Sequence, residues 1–176
     1  MDFINSPVAL ESLPKVDDAL LQPIHPLYLK ILRLEWLISS SILAIIAVTL
    51  IYTVDSLRHS YGWMIMAGVV LVLAGLYYYL QEKSFPFKQF AVRDKDVIYQ
   101  KGWLIRTLTV CPFNRIQNCS VQTGPLERKH KLASLIIYTA GSGGADLRIP
   151  GLLQEEADGL RHFILEKIHK EADEQL

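Results

Sequence analysis

The sequence predicts a membrane α-helical hairpin of two transmembrane helices, followed by a small α+β domain. The first observation is a pair of uncharged apolar runs, residues 36–54 and 61–80. The second is the short link between them, residues 55–60, which forces the two helices to run antiparallel. The third is a change after residue 84 to short alternating segments that are separated by turn residues. The chain has 176 residues, of which 51% are hydrophobic, and the two runs account for the excess.

Each uncharged run has the length of one membrane crossing. A bilayer core of about 30 Å needs about 20 helical residues at ~1.5 Å each. Two buried helices of a soluble bundle would be the alternative, but such helices keep charge along one edge. Neither run contains Asp, Glu, Lys, Arg or His, which argues against a channel or a pump. For the serines at 39–41 we expect hydroxyl bonds to their own helix backbone rather than a helix–helix contact.

The charges around the two runs predict the orientation. Basic residues concentrate outside the ends that lie away from the link: Lys30, Arg33, Lys83, Lys88 and Arg93. The link holds Arg58, which Asp55 offsets. Positive residues favour the cytoplasm, so both termini are predicted to be cytoplasmic, with the hairpin (residues 25–83) in the inner, cytoplasmic membrane. Residues 1–24 are acidic and interrupted by prolines, and they are predicted to be a loosely ordered cytoplasmic segment.

The soluble domain is predicted over residues 84–170, with a short tail at 171–176. Alternating or β-branched segments predict five to seven antiparallel strands, near residues 90–92, 97–101, 104–110, 116–123, 132–139 and 146–149. Glycines near residues 141–144 predict a turn. An apolar stripe at a spacing of three to four residues, from Leu153 to Ile168, then predicts one amphipathic helix. A small antiparallel barrel or curled sheet capped by this helix is the architecture of a pleckstrin-homology (PH)-like domain.

Several short motifs support this architecture by resemblance. They are TVCPFNRIQN at 109–118, GPLER at 124–128, LA at 132–133, YTAG at 138–141 and IPGL at 149–152. With the double span before them, they make residues 24–170 resemble the bacterial PH domain of YdbS-like membrane proteins. Lys131 departs from the pattern, since glycine is expected there, and the conformation of that turn stays open.

The resemblance implies a PH-like fold that faces the cytoplasm, without an enzymatic activity or a cofactor. Members of the family often occur beside larger paralogues that carry several such domains. This implies a membrane complex with a paralogous PH-domain protein. A part in envelope homeostasis or in resistance to membrane-active agents fits that setting, and a homo-oligomer is a further arrangement that the sequence allows.

Candidate binding residues form a basic series. Six cations lie between residues 101 and 131, against Glu127 alone: Lys101, Arg106, Arg115, Arg128, Lys129 and Lys131. Cations near an anionic leaflet attract lipid headgroups, so this series is a candidate contact for lipids or for a partner. The alternative is a solvated surface.

A second cluster is a candidate structural motif: Pro112, Arg115, Gln117, Asn118, Gly124 and Pro125. Arg115 and Asn118 could bind backbone carbonyls and hold the register of the strands, or Arg115 could contact a ligand. We favour the structural interpretation.

Other chemistry has weak support. Lys and Arg total 18 and Asp and Glu total 18, a balance that argues against a nucleic-acid binder. Cys111 and Cys119 have no CxxC spacing, and the five histidines are scattered, so no metal site is predicted. Ser142 lies in AGSGGA, which a hairpin turn explains better than a phosphate loop or a nucleophile elbow.

Three functions remain open from the sequence. The leading hypothesis is a non-enzymatic interaction or scaffold module that the hairpin fixes at the cytoplasmic face. The second is a sensor of anionic lipid headgroups that uses the basic series. The third is an accessory subunit of a transporter or of an envelope enzyme.

Overall fold

The computed structural model describes residues 21–54, 61–139 and 147–173. The predictions for residues 1–20, for the link at 55–60 and for the glycine turn with Ser142 at 140–146 lie outside the described residues. So does the end of the predicted tail, residues 174–176.

Two long helices confirm the predicted hairpin. Helix α1 spans Leu27–Thr53 and helix α2 spans Gly62–Ser84. At ~1.5 Å per residue they are about 40 and 35 Å long, so each exceeds a hydrocarbon layer of about 30 Å. Both are long and apolar enough to cross a membrane, and most of their large apolar side chains are exposed. Lipid is the environment in which such a surface is stable.

Seven strands and two further helices make up the rest. A 3₁₀ turn at Phe85–Phe87 links α2 to the sheet. The strands are β1 (Gln22–Pro23), β2 (Gln89–Val92), β3 (Asp96–Lys101), β4 (Thr107–Pro112), β5 (Ile116–Gln122), β6 (Leu132–Thr139) and β7 (Leu147–Leu153). A second 3₁₀ turn occupies Phe113–Arg115, the short helix α3 spans Pro125–Lys129, and α4 spans Gln154–Asp173.

The strands form two antiparallel sheets. The first has the order β1-β2-β3-β4 and the second has the order β5-β6-β7. In the first sheet Phe90 pairs with Tyr99, which pairs with Thr109. The backbone N–H of His25 donates to the Gly151 carbonyl at 2.9 Å and connects the two sheets on one side. No ladder within the described residues closes the sheets into a barrel, so the curled-sheet form of the prediction is the observed one.

The core lies between the sheets and α4. Val97 and Tyr99 of the first sheet and Leu135 and Ile137 of the second are buried there. Helix α4 contacts β5, β6 and β7 and adds the fully buried Ala157 and Ile164, together with other members of the predicted apolar stripe. This packing confirms the predicted C-terminal helix and its buried face.

Three local features differ from the expectation. Residues 104–106 were predicted to begin a strand, but they lie in an exposed loop, and β4 begins at Thr107. Helix α3 stands where only a turn was expected. The segment predicted to be loose over residues 1–24 contributes β1, and Ile24 lies in the core. A two-residue strand carries too little periodicity to be recognised in a sequence.

Candidate functional site: the membrane-facing side of the domain

The soluble domain is attached to α1 through a tight contact with β7. Gly151 has φ +70, a left-handed conformation that favours glycine. A Cβ at this position would lie 2.8 Å from Cβ and Cγ of Tyr28, in the first turn of α1. Ile31, one turn further along α1, is also fully buried. The start of α1 is therefore part of the domain as well as the root of the first span.

The two long helices are joined where they leave the domain. The Arg33 Nε donates to the Glu82 carboxylate at 2.6 Å. The Trp36 indole N–H donates to the Ala74 carbonyl at 2.8 Å, and its ring lies edge-on to Tyr78. These contacts keep α1 and α2 paired on the side of the soluble domain.

Two of the serines at 39–41 in the first span form hydrogen bonds within α1. The Ser39 hydroxyl donates to the Glu35 carbonyl and the Ser41 hydroxyl donates to the Leu37 carbonyl, both within α1. For these two serines the expected backbone bonding is confirmed.

The loop between β3 and β4 lies against the end of α2. The Trp103 ring is edge-on to the Tyr79 ring, with 6.1 Å between the ring centroids. The Arg106 guanidinium lies 5.0 Å from the centroid of the Phe87 ring. We call Trp103–Ile105 the apolar loop. The sequence does not reveal this loop, because Trp, Leu and Ile are also strand formers and the run WLI by itself does not distinguish a strand from a loop.

Glycine at the start of the apolar loop sets its shape. Gly102 has φ +92, and a Cβ at that position would collide with the Ile105 carbonyl oxygen. Only glycine permits that close approach. The backbone therefore turns back on itself here, which is why the predicted strand over 104–110 begins three residues late.

The candidate basic residues occupy different parts of the domain. Lys101 and Arg106 flank the apolar loop at one end of β4. Arg115 follows the other end of β4, about 20 Å away at ~3.3 Å per residue. The remaining three, Arg128, Lys129 and Lys131, lie in and after α3, beyond the end of β5 that is remote from Arg115. Arg115 is thus separated by the length of a strand from Lys101 and Arg106, and likewise from the cations of α3.

One further cation lies between Lys101 and the start of α1. The Lys88 ammonium is 5.4 Å from the centroid of the Tyr28 ring. Burial lowers the pKa of Lys88, the nearby Glu35 carboxylate raises it, and the positive charge of Lys101 lowers it further. Lys88 and Lys101 are therefore close enough to interact, and they extend the positive charge from β3 toward α1.

The predicted structural motif forms a bend between the two sheets. After Pro112 the chain buries Phe113, whose N–H donates to the Lys95 carbonyl at 3.0 Å and whose ring lies edge-on to Phe163. The register of β5 shifts between Ile116 and Asn118, so Gln117 occupies a β-bulge.

The polar members of this motif lie on the surface. Arg115, Gln117 and Asn118 are exposed, and Arg115 lines a shallow cavity of about 260 Å³ next to Thr139 and Leu147. Phe113 and the bulge account for the bend itself.

Gly124 and Pro125 begin α3, where a buried carboxylate organises the backbone. Glu127 Oε2 accepts a hydrogen bond from the Gly124 N–H at 2.7 Å, and Oε1 accepts one from the Ser134 hydroxyl at 2.8 Å. The Arg148 guanidinium donates to the same hydroxyl and lies 4.0 Å from the carboxylate. This network ties α3 to β6 and β7.

Lys131 adopts the conformation that the glycine of the family pattern would adopt. Its φ is +55, and it is the one non-glycine residue with positive φ among the described residues. Its N–H donates to the Arg128 carbonyl, and its own carbonyl accepts from the Gln154 N–H. Lys131 therefore holds a left-handed conformation that favours glycine. Lys131 and Arg128 also line an open groove of about 460 Å³ together with Thr123 and Glu155.

Comparison with known proteins agrees with this architecture. The family model described as Bacterial PH domain matches residues 27–168, which include both long helices and most of the soluble domain. The chain belongs to the bacterial PH domain family. It is also 27% identical over 143 residues to the UPF0699 transmembrane protein YdbS of Bacillus subtilis (strain 168), covering 80% of this chain and 88% of that protein. No solved structure matches the chain significantly.

The family match and the structure together show a membrane-associated protein with a PH-like domain. The match begins at the first residue of α1, so the family includes the helical pair and the domain as one unit. The contacts of Gly151 with Tyr28 and of Trp103 with Tyr79 explain why the helices and the domain form one unit. The domain packs against the end of each helix from which it extends.

Proposed function

We propose that this protein is a non-catalytic, membrane-anchored interaction module whose PH-like domain holds a protein partner at the cytoplasmic face of the cytoplasmic membrane. Strand β4 is the observation that carries the proposal. Among the described residues it is the last strand of its sheet, and its residues Leu108 and Val110 are exposed apolar side chains. A strand edge with an apolar outer face is a template for pairing with another chain.

The partner that fits this surface best is a paralogous PH-domain membrane protein. Such a protein can supply an extended strand, and its own membrane anchor would keep it close to β4, which raises its effective concentration. The resemblance to YdbS-like membrane proteins, whose members often occur beside larger paralogues, is the reason for choosing a partner of this kind. A second copy of this chain offers the same chemistry and is the competing occupant.

The cytoplasmic orientation is supported by charge. Arg33, Lys83 and Lys88 lie near the ends of the helices on the side of the domain, whereas the link between the helices has no net charge from Asp55 and Arg58. The positive-inside rule then places the domain in the cytoplasm. Alkaline phosphatase fused after residue 176 tests this orientation. The fused enzyme is active only outside the cytoplasm, so a cytoplasmic domain predicts an inactive fusion.

Site-specific photocross-linking in native membranes tests the partner. A photoreactive phenylalanine replaces Leu108 or Val110 in the full-length chain, and cross-linked products are identified by mass spectrometry. We expect cross-links to a second PH-domain membrane protein. Cross-links only to this same chain would replace the paralogue by a homo-oligomer.

The matched control is the photoreactive residue at Gln117, which is exposed on β5 of the other sheet. A charged side chain on the outer face of β4 provides a second test of the docking surface. Val110→Lys should reduce recovery of the partner, and Gln117→Lys should not. Equal cross-linking from positions 108, 110 and 117 would contradict a docking surface on β4.

A second candidate function is recognition of anionic lipid headgroups. Lys101 and Arg106 lie next to the end of α2, where they would meet the headgroup layer, and each charge near an anionic leaflet contributes about 1 kcal/mol. Native mass spectrometry of the full-length protein in detergent, with phosphatidylglycerol or phosphatidylcholine added, tests this function. Retention of phosphatidylglycerol should fall in Lys101→Gln/Arg106→Gln and persist in Arg115→Gln, because Arg115 lies at the far end of β4. Equal retention of both lipids by the unaltered chain would exclude a headgroup sensor.

A further inference from the structure

The apolar loop exposes more apolar surface than any other part of the described soluble domain. Leu104 is 79% exposed and Ile105 is 77% exposed, whereas the next large apolar side chains, on β4 and α4, are at most 43% exposed. Three consecutive large apolar residues in water are unfavourable, and such patches mark an interaction surface.

The position of the apolar loop identifies what covers it. Trp103 contacts Tyr79, which belongs to the run of three tyrosines near the end of the second uncharged run. Tyrosine and tryptophan concentrate at the depth of the headgroups. Trp103 therefore lies at the membrane interface when α2 crosses the bilayer, and the tip of the loop next to it is within reach of the lipid.

The charges around the loop have the arrangement that an interface requires. Lys101 and Arg106 lie on either side of the apolar loop, and the Lys83 ammonium lies 5.8 Å from the centroid of the Tyr79 ring. The cations thus surround the base, and Leu104 and Ile105 form the tip. Basic side chains reach anionic headgroups while apolar ones enter the acyl boundary.

We propose that the apolar loop inserts Leu104 and Ile105 into the bilayer leaflet from which α2 emerges, as a third membrane attachment of the domain beside the two helices. The turn at Gly102 holds the loop in this shape before insertion, because the close approach to the Ile105 carbonyl leaves the backbone little freedom. The inserted lipid contact is apolar and needs no specific headgroup. It does not depend on the partner proposed for β4.

Tryptophan fluorescence of the full-length protein in lipid nanodiscs tests the insertion. In a chain carrying Trp36→Phe, Trp63→Phe and Trp103→Phe, a single tryptophan is placed by Leu104→Trp, by Ile105→Trp or by Asn114→Trp. Asn114 is the matched control, because it is exposed in the 3₁₀ turn at the far end of β4. Native Trp103 alone, with Trp36→Phe and Trp63→Phe, provides a reporter that leaves the loop unaltered.

The expected result is quenching by phosphatidylcholine that carries bromine on its acyl chains, several-fold stronger at positions 104 and 105 than at 114. Aqueous iodide should quench in the reverse order. Insertion should persist in neutral phosphatidylcholine and at high salt, which distinguishes it from recognition of anionic headgroups. Tryptophans at 104 and 105 that iodide reaches as readily as at 114 would overturn the proposal. Protection from iodide that appears only after another membrane protein is added would instead make the loop a protein-docking surface.

Discussion

The contact between Gly151 and Tyr28 predicts a large and measurable effect of one methyl group. In Gly151→Ala the new Cβ would lie 2.8 Å from Tyr28 Cβ and Cγ, which is closer than carbon atoms approach in proteins. The φ of +70 adds strain for any residue with a Cβ, about 1–2 kcal/mol. Overpacking costs a further ~1–3 kcal/mol. The free energy of unfolding of the domain should therefore fall by about 2–5 kcal/mol, which is a shift in Tm on the order of 10 °C or more.

A double-mutant cycle separates the two causes. Tyr28→Gly removes both atoms that the new methyl group meets, Cβ and Cγ, so Gly151→Ala in that background should cost only the backbone strain of about 1–2 kcal/mol. The coupling free energy between the two positions is then expected to be about 1–3 kcal/mol. Thermal unfolding of the full-length protein in detergent, with hydrogen exchange of β7 as a local probe, measures both.

The control is Gly159→Ala in α4. Nothing lies within 4 Å of a Cβ at Gly159, and alanine is the better helix former by about 1 kcal/mol, so this variant should be as stable as the unaltered chain or more stable. Gly151→Ala that unfolds at the same temperature as the unaltered chain would refute the argument. A coupling free energy of zero would show that Tyr28 moves aside without cost.

Three further predictions rest on single residues. Lys131→Gly should raise the free energy of unfolding by about 1 kcal/mol, because glycine adopts φ +55 without strain, although the unfolded chain gains entropy; denaturant unfolding measures the difference. Glu127→Ala should lower it by about 2–4 kcal/mol, since the Gly124 N–H and the Ser134 hydroxyl lose their acceptor, and Glu127→Gln should cost less in the same assay. Burial raises the pKa of Tyr99 to about 12. The contribution of the neutral phenol to the free energy of unfolding is therefore complete below pH ~10 and is lost as the pH rises toward 12. Tyr99→Phe should weaken this pH dependence in unfolding curves taken across that range.

The architecture was predictable because its main signals are local. Uncharged runs of 19 and 20 residues, at 36–54 and 61–80, have no stable location in water, and alternating segments followed by a helical stripe have few ways to pack. Helix α3 carries a local signal that was missed. Gly124 precedes Pro125, and Glu127 stands at the third helical position, an arrangement that favours a helix start.

The arrangement of the candidate site was not predictable, because it depends on which strand ends meet. The six cations are close in sequence, but β4 and β5 carry Arg115 away from Lys101 and Arg106 on one side and from Arg128 on the other. The contact between Trp103 and Tyr79 joins residues 24 positions apart and follows from the way β3 and β4 return to α2. Period and composition report local structure, whereas these contacts report the tertiary fold.

The attachments of the domain limit where a partner can bind. Strand β7 meets α1 at Tyr28, and the β3–β4 connection meets α2 at Tyr79. Since Arg33 and Glu82 also join the two helices, the domain has little freedom to rotate on its anchor. With the apolar loop in the bilayer, β4 begins at the membrane surface and extends no more than about 20 Å from it. A strand that pairs with β4 must therefore lie within that distance of the lipid, which a membrane-anchored partner reaches without a long linker, and this favours a paralogous membrane protein over a freely diffusing one.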